Sequence, residues 1–274
     1  MKSTGKAPVL FFISTDIINM KISVIQPDIK WEDKFRNFRN YEHHISSLDN
    51  PGIIILPEMF STGFTPESES QCEPPGKATF DWMVSIAAKK NAGLCGSYIV
   101  KSGRKYFNRW IFVTPEAESW HYDKRHLFNM NGVEKSFTAG KKRVVFRFRD
   151  FRICPGVCYD LRFPVWCRNR NDYDLMINSA NWPMARRDVW ITLLKARAIE
   201  NLCYIAGSNR IGTDGLGVKY SGDSMIIGPK GEEIANAGRN KESAITADIS
   251  IEELREFRKK FPAHLDSDNF TIDF

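Results

Sequence analysis

The chain has 274 residues, of which 42% are hydrophobic and 26% are charged, and its formal net charge is +6 at pH 7. A chain of this length and ordinary globular composition buries about three quarters of its unfolded surface, so its core needs neither disulfides nor metals. The positive charges are scattered, with no basic helix or aromatic-basic motif, which argues against nucleic-acid binding.

The six cysteines favour a reducing, cytoplasmic compartment. None forms a CxxC pair, and none lies beside a histidine at zinc-finger spacing. The motifs of a structural metal site are therefore missing from the sequence.

The first nineteen residues contain the apolar run VLFFI, which is too short to cross a membrane and is followed by no small-residue cleavage site. We therefore expect residues 1–19 to be a disordered or non-native extension, with Met20 as the natural start. A weak signal peptide is the alternative. Residues 20–274 are expected to form a single domain with no membrane contact.

The hydrophobic pattern alternates strands and helices at both ends of the chain and places antiparallel pairs between them. The predicted strands cover 22–26, 53–56, 93–100, 105–113, 118–122, 144–148, 151–157, 175–179, 203–208, 219–227 and 244–249. The predicted helices cover 31–48, 77–90, 163–169, 188–201 and 251–260, the last with Ser250 as its N-cap. Segments 65–75 and 123–140 have no clear period and are predicted to be loops. This order predicts an α/β protein with mixed sheets.

Three polar residues lie just past the ends of predicted strands, where α/β proteins place their functional groups. Glu58 follows the run GIIIL, Lys124 follows the strand that ends in HYD, and Cys158 ends the strand FRICPGV. The three are sufficient for acyl transfer. A thiolate attacks a carbonyl, a carboxylate moves the protons, and an ammonium stabilises the oxyanion.

Each of these residues also has an ordinary interpretation. Cys158 could be a buried thiol that packs as a small apolar side chain, Glu58 an acid at a helix start, and Lys124 a solvated charge. A Cys–His hydrolase is not favoured, because His43 and His44 lie on a predicted helix away from these loops.

Three segments together resemble the motifs of the nitrilase superfamily of carbon–nitrogen hydrolases. LPEMFSTGF carries Glu58, HYDKRHLF carries Lys124 and GVCYDLRFP carries Cys158, in the order that the family has. The similarity runs from about Met20 to the C-terminal region. STGFT, DKRHLF and SANWPMARR also resemble the omega-amidase branch, whose members hydrolyse the terminal amide of 2-oxo acid amides such as 2-oxoglutaramate.

The resemblance implies a four-layer αββα sandwich, a homodimer or larger oligomer, a small-molecule amide substrate, and neither a metal nor an organic cofactor. It implies that Cys158 is the nucleophile, that Glu58 is the general base and then acid, and that Lys124 and the Tyr159 backbone N–H form the oxyanion hole. Family members often carry a second glutamate, for which Glu134 is the candidate. We expect the tail, 260–274, at a dimer interface.

The carboxylate of a 2-oxo acid substrate needs a cation in the pocket. Arg186 and Arg187 follow NWPMA, and Arg186 is preferred because it comes directly after the segment that resembles the branch. An arginine binds a carboxylate through two hydrogen bonds, although a solvated charge at a helix start is the alternative. The apolar walls are expected to come from four aromatic residues: Phe60, Phe64, Phe128 and Trp182.

Two other functions remain open at this stage. The chain could be another hydrolase of the same superfamily: a nitrilase, an N-carbamoyl hydrolase or an aliphatic amidase. It could also be an inactive relative that serves as a binding or scaffold subunit, although the intact Glu58, Lys124 and Cys158 argue against that.

Overall fold

The computed structural model describes residues 19–129, 132 and 135–272. The strands are β1 (Asn19–Gln26), β2 (Ile53–Ile55), β3 (Gly93–Ser102), β4 (Lys105–Val113), β5 (Ser119–Asp123), β6 (Phe146–Phe148), β7 (Phe151–Val157), β8 (Leu175–Ser179), β9 (Tyr204–Ser208), β10 (Ile211–Thr213), β11 (Lys219–Ser221), β12 (Met225–Ile227), β13 (Glu233–Asn236) and β14 (Ser243–Ser250). The helices are α1 (Lys34–Ser46), α2 (Ser68–Gln71), α3 (Ala78–Lys90), α4 (Pro164–Cys167), α5 (Arg187–Asn201) and α6 (Ile251–Lys260).

Two six-stranded mixed sheets form the centre of the molecule. The first has the order β14-β1-β2-β3-β4-β5, and the second has the order β13-β12-β9-β8-β7-β6. In the first sheet β1, β2 and β3 are parallel to one another, and in the second β7, β8 and β9 are parallel. The remaining pairs are antiparallel.

The sheets pack face to face, and helices cover their outer faces, so the described residues form a four-layer αββα sandwich. In β2, Ile53 and Ile55 belong to the core between the sheets, whereas Ile54 packs with α1 and α3. This alternation is the two-residue period of a strand buried on both faces. On the other side α5 packs against β9 and β12. The Trp110 Nε1–H donates to Ser179 Oγ at 3.2 Å and joins the two sheets.

Several element predictions differ from the structure. The predicted strand 219–227 is divided between β11 and β12, because the chain turns at Gly222, where φ is +82° and a Cβ atom would lie 2.3 Å from the Gln26 side chain. Strands β10 and β13 were not predicted, and α2 lies in a predicted loop. The first helix begins at Lys34, since Asp33 caps it by accepting from the Arg36 N–H at 3.0 Å.

The predicted N-terminal extension, residues 1–19, lies almost entirely outside the residues that the structure describes. Residues 1–18 are not described, and Asn19 already belongs to β1, where it pairs with Ser250 of β14. In the part of the chain that the structure describes, no helix has the length and apolar character needed to span a membrane.

Candidate active site

Glu58 lies just past β2, in the loop at the carboxyl ends of the parallel strands of the first sheet. Its side chain is fully buried. Oε1 accepts from Asn108 Nδ2 at 2.8 Å, and Oε2 accepts from the Asn181 backbone N–H at 2.9 Å. These donors stabilise a charged carboxylate in a position that water does not reach. They also fix its orientation.

Lys124 follows β5, and its side chain is also fully buried. The ammonium donates to Glu58 Oε1 at 2.8 Å and lies 5.4 Å from the centre of the Phe64 ring. The Lys124 backbone N–H donates to the Asn108 carbonyl at 3.0 Å. This bond continues the antiparallel pairing of β4 and β5 past the end of β5. Because the carboxylate and the ammonium are buried in contact, losing either side chain would leave the other without its partner.

Cys158 begins a short 3₁₀ turn directly after β7. Its φ is +43°, in the left-handed region that side-chain-bearing residues rarely adopt. Such backbone strain persists only where the surrounding contacts enforce it, and it is concentrated at functional sites. The side chain is 9% exposed, and Sγ lies 3.8 Å from the Asn181 carbonyl oxygen.

Asn181 is a site residue that the sequence reasoning missed. It lies just beyond β8, and its Nδ2 donates to the Glu58 backbone oxygen at 2.6 Å. Together with its backbone contacts, this places Asn181 between Glu58 and Cys158. The strand-end rule that selected the other three residues would also have selected Asn181, because β8 is parallel to β7.

A pocket opens beside Cys158. Among the described residues, its lining includes Phe64, Phe128, Cys158, Tyr159, Arg162, Asn181, Trp182, Arg186, Asp214, Leu216 and Tyr220. The predicted wall residues Phe64, Phe128 and Trp182 are therefore at the pocket, as are Tyr159 and Arg186.

Two arginines reach this pocket with their guanidinium groups stacked on aromatic rings. Arg186 lies 5.2 Å from the Phe128 ring centre, and Arg162 lies 5.2 Å from that of Trp182. Arg187 does not take this role, because Asp223 holds its guanidinium at 2.7 and 2.9 Å. Within the described residues, no carboxylate pairs with Arg162 or Arg186. The sequence had indicated for Arg162, as for Asp160 and Pro164, only a role in holding the chain bend that follows Cys158.

Phe60 lies elsewhere, and the prediction that it lines the pocket needs correction. Its ring is fully buried and packs against Tyr41 and Tyr98, in the core between the first sheet and its helices. It lies two residues beyond Glu58, where the backbone of the loop turns its side chain away from the site. Glu134, the candidate for a second glutamate, lies outside the described residues.

The two-stranded sheet of β10 and β11 forms one wall of the pocket through Asp214 and Tyr220. The Tyr220 hydroxyl donates to Asp214 Oδ2 at 2.7 Å, and Oδ1 accepts from the backbone N–H groups of Leu216 and Val218, each at 2.9 Å. Burial raises the pKa of Tyr220, and the bond to Asp214 adds to that effect. Tyr220 therefore faces the pocket as a neutral donor.

Over the described ranges, no group of three or more His, Cys, Asp or Glu side chains is arranged to hold a metal ion.

Comparison with known proteins identifies the class. The chain belongs to the carbon–nitrogen hydrolase family, whose model matches residues 21–259, and it is a hydrolase acting on carbon–nitrogen bonds. The omega-amidase YafV of Escherichia coli (strain K12) is 43% identical over 253 residues, which are 92% of this chain and 98% of that protein.

Two further similarities extend this comparison. The 2-oxoglutaramate amidase of Bacillus subtilis (strain 168) is 30% identical and covers 88% of this chain and 95% of its own length. The crystal structure of XC1258 from Xanthomonas campestris, a CN-hydrolase superfamily protein with an arsenic adduct in the active site, has a TM-score of 0.91 and 39% identity. The match covers 93% of this chain and 100% of the XC1258 chain. The fold is therefore that of the nitrilase superfamily.

Proposed function

We propose that the chain is a cysteine-dependent omega-amidase. It hydrolyses the terminal amide of a small 2-oxo dicarboxylic acid monoamide, 2-oxoglutaramate or 2-oxosuccinamate, to the acid and ammonia. The observation that carries the proposal is the buried Glu58–Lys124 pair beside Cys158, at a pocket that also contains two arginines with no carboxylate partner among the described residues. The similarity to an omega-amidase and to a 2-oxoglutaramate amidase supports the same substrate class.

In the first half of the reaction Cys158 Sγ attacks the amide carbon while Glu58 takes the thiol proton. The oxyanion of the tetrahedral adduct is stabilised by the Lys124 ammonium and the Tyr159 backbone N–H. Glu58 then returns the proton to the leaving nitrogen, the C–N bond breaks, and ammonia departs. The product of this half is a thioester on Cys158.

In the second half water replaces ammonia. Glu58 removes a proton from the water as it attacks the thioester carbon, and the same oxyanion contacts stabilise the second adduct. The C–S bond then breaks, the sulfur regains a proton from Glu58, and the acid leaves. One carboxylate thus serves as base and acid in both halves, which explains why it is held rigidly between several donors.

The distal carboxylate of the substrate binds to Arg186, and Arg162 is a second guanidinium in the lining of the same pocket. Both guanidinium groups are planar donors and are already stacked on aromatic rings, so little side-chain entropy is lost when they bind a carboxylate. Arg186→Ala should raise KM for 2-oxoglutaramate and leave kcat on a neutral amide of similar length unchanged. An unchanged KM for the acid substrate would contradict the assignment.

The proposed reaction is tested by measuring ammonia release from 2-oxoglutaramate beside glutamine, asparagine, an N-carbamoyl amino acid and a simple nitrile. We expect the 2-oxo acid amide to have the highest kcat/KM. Cys158→Ala should lose essentially all turnover, because the covalent route requires the sulfur. Near-normal turnover by that variant, or a preference for the nitrile or the N-carbamoyl compound, would overturn the proposal.

We also propose a cytoplasmic homodimer with the tail, 260–274, at its interface. The apolar side chains of Phe261 and Leu265 support this, being 56% and 72% exposed in the single chain. Light scattering of the full chain and of a variant with both residues changed to serine tests it. A wild-type monomer would contradict the assembly, and a dimer unaffected by the two changes would contradict the role of the tail.

A further inference from the structure

We infer that Asp160 and His126 form a positioning clamp that holds the loop of Lys124 and the turn of Cys158 in register. Neither residue belongs to the proposed catalytic set. The inference rests on the proposed function only in assuming that Lys124 and Cys158 act together. The clamp fixes the position of Lys124, which follows a strand of the first sheet, relative to Cys158, which follows a strand of the second.

Asp160 is attached to the Cys158 turn on one side. It lies two residues after the cysteine, is fully buried, and its Oδ2 accepts from the Val157 backbone N–H at 2.9 Å. Val157 is the residue immediately before Cys158. The carboxylate therefore spans the peptide unit at which the chain enters the left-handed conformation, and it stabilises that strained backbone.

The same carboxylate is attached to the Lys124 segment on the other side. Oδ2 accepts from the Tyr122 hydroxyl at 2.8 Å, and Oδ1 accepts from the His126 backbone N–H at 3.0 Å. His126 Nδ1 lies 2.7 Å from Oδ1. Tyr122 and His126 lie two residues before and two residues after Lys124, so Asp160 binds the segment on both sides of the lysine.

Three of the four contacts direct a donor at the Asp160 carboxylate, and the fourth joins it to the His126 ring nitrogen. A buried carboxylate in its charged form is stabilised by several hydrogen bonds, and an ionised carboxylate only accepts. Burial, with the neighbouring Asp160 carboxylate, raises the pKa of Tyr122, so its hydroxyl remains protonated and donates. In the proposed clamp His126 Nδ1 is the donor of its pair and Asp160 Oδ1 is the acceptor.

The ring of His126 is fixed by more than this bond. It stacks on Phe163 at 3.7 Å between ring centres with an angle of 8°. Phe163 closes the 3₁₀ turn, since its backbone N–H donates to the Asp160 carbonyl at 3.0 Å. The 3₁₀ turn that begins at Cys158 therefore holds His126 through both a hydrogen bond and a ring contact. His126 itself belongs to the segment that carries Lys124.

Displacement of a reacting group by about 1 Å can lower a rate by about 100-fold. Loss of the clamp should therefore reduce the chemical step more than substrate binding. It should also reduce the nucleophilicity of Cys158, because a nearby ammonium favours the thiolate. The second effect can be measured without any substrate.

The test compares His126→Leu, which removes the side-chain donor, with His126→Asn, which keeps an N–H donor close to the position of Nδ1. His121→Leu is the matched control, since it makes the same change in the same segment on an exposed side chain of β5. For each variant we would measure kcat and KM for 2-oxoglutaramate, the second-order rate of Cys158 alkylation by iodoacetamide, and the urea unfolding midpoint.

We expect His126→Leu to lower kcat about 10- to 100-fold with KM within about twofold, and to slow alkylation of Cys158 by about fivefold or more. His126→Asn should recover most of both rates, and His121→Leu should match the wild type. Wild-type rates in the folded His126→Leu protein, or equal impairment in the asparagine variant, would overturn the clamp. If the wild type does not release ammonia from 2-oxoglutaramate but the alkylation series is as expected, the proposed function fails and the clamp stands.

Discussion

At the scale of single residues, Cys158 differs from the other buried thiols in the surroundings of its sulfur. Burial raises the pKa of the Cys154 thiol to about 12, and it raises the pKa values of Cys95, Cys167 and Cys203 as well. These four thiols are neutral at physiological pH and poorly reactive. Cys158 lies at the wall of an open pocket, and Cys72 is partly exposed.

We therefore expect iodoacetamide at pH 8 to alkylate only Cys72 and Cys158 in the native protein, as measured by mass spectrometry of peptides. In 6 M guanidinium chloride all six thiols should react, because unfolding removes the burial. Cys72→Ser should reduce native labelling to one site and leave the activity unchanged. When that variant is alkylated, its activity should be lost in step with the labelling of Cys158. Rapid native labelling of Cys154 would contradict this explanation.

The catalytic candidates were predictable because each lies beyond a strand end and within a specific motif. Asp160 was predicted only to hold the bend after Cys158, and Asn181 was not singled out. The bonds that join Asp160 to Tyr122 and Asn181 to Glu58 connect segments far apart in the sequence, which a local pattern does not contain. Phe60 was placed incorrectly because a loop has no fixed side-chain period, so position in the sequence did not give the direction of its ring.

At the scale of elements, segments with a clear hydrophobic pattern were predicted well, including the short buried strands β2 and β8, whereas short strands with exposed residues were not. Helix α5 and strands β3, β4 and β7 lie within one or two residues of their predicted bounds. Strands β10, β11 and β13 have only three or four residues, many of them exposed, so they carry little hydrophobic signal. Their pairing is decided by tertiary contacts that a local pattern does not contain.

The N-cap of α6 was predicted as Ser250, and the structure agrees. Its Oγ accepts from the Glu253 backbone N–H at 3.2 Å. Ser250→Ala should lower the free energy of unfolding by about 1 kcal/mol, because one backbone donor of the first turn loses its partner. Ser250→Asp keeps an acceptor and should cost much less in the same urea denaturation experiment. Equal losses in both variants would show that the cap is not the cause.

At the scale of the whole molecule, Asp174 connects the second sheet to α6. Its carboxylate accepts from Arg152 Nε at 2.9 Å on β7 and from Arg258 Nη1 at 2.7 Å on α6. Burial by itself would raise the pKa of Asp174, but the bonds from Arg152 and the charges of both arginines outweigh it, and the pKa is lowered from its ordinary value. The folded state therefore favours the ionised carboxylate.

This predicts how stability depends on pH. A carboxyl group whose pKa is lowered on folding contributes stability above its unfolded pKa, about 3.9, and loses that contribution as pH falls through the folded value. Asp174→Asn should reduce the free energy of unfolding by about 3 kcal/mol at pH 7, because it leaves buried arginine charge without its partner. The difference from wild type should narrow as the pH falls below about 4 in urea denaturation.

Asp188→Asn is the matched control, since the Asp188 side chain is 94% exposed in its pair with Arg187. It should change the free energy of unfolding by less than about 0.5 kcal/mol at any pH in this range. A gap between wild type and Asp174→Asn that stays constant with pH would show that Asp174 does not stabilise the fold through its charge.

Strand β1 has a consequence for how the protein is made. It lies between β2 and β14, and Ile22 pairs with Ala247, 225 positions further along the chain. While the chain is still being synthesised, β1 therefore presents an open edge until β14 has left the ribosome. An unpaired strand edge is a template for association with other chains, so this period is when the protein most needs a chaperone. The first sheet, in which β2 leads into Glu58, is thus completed only after β14 has been synthesised.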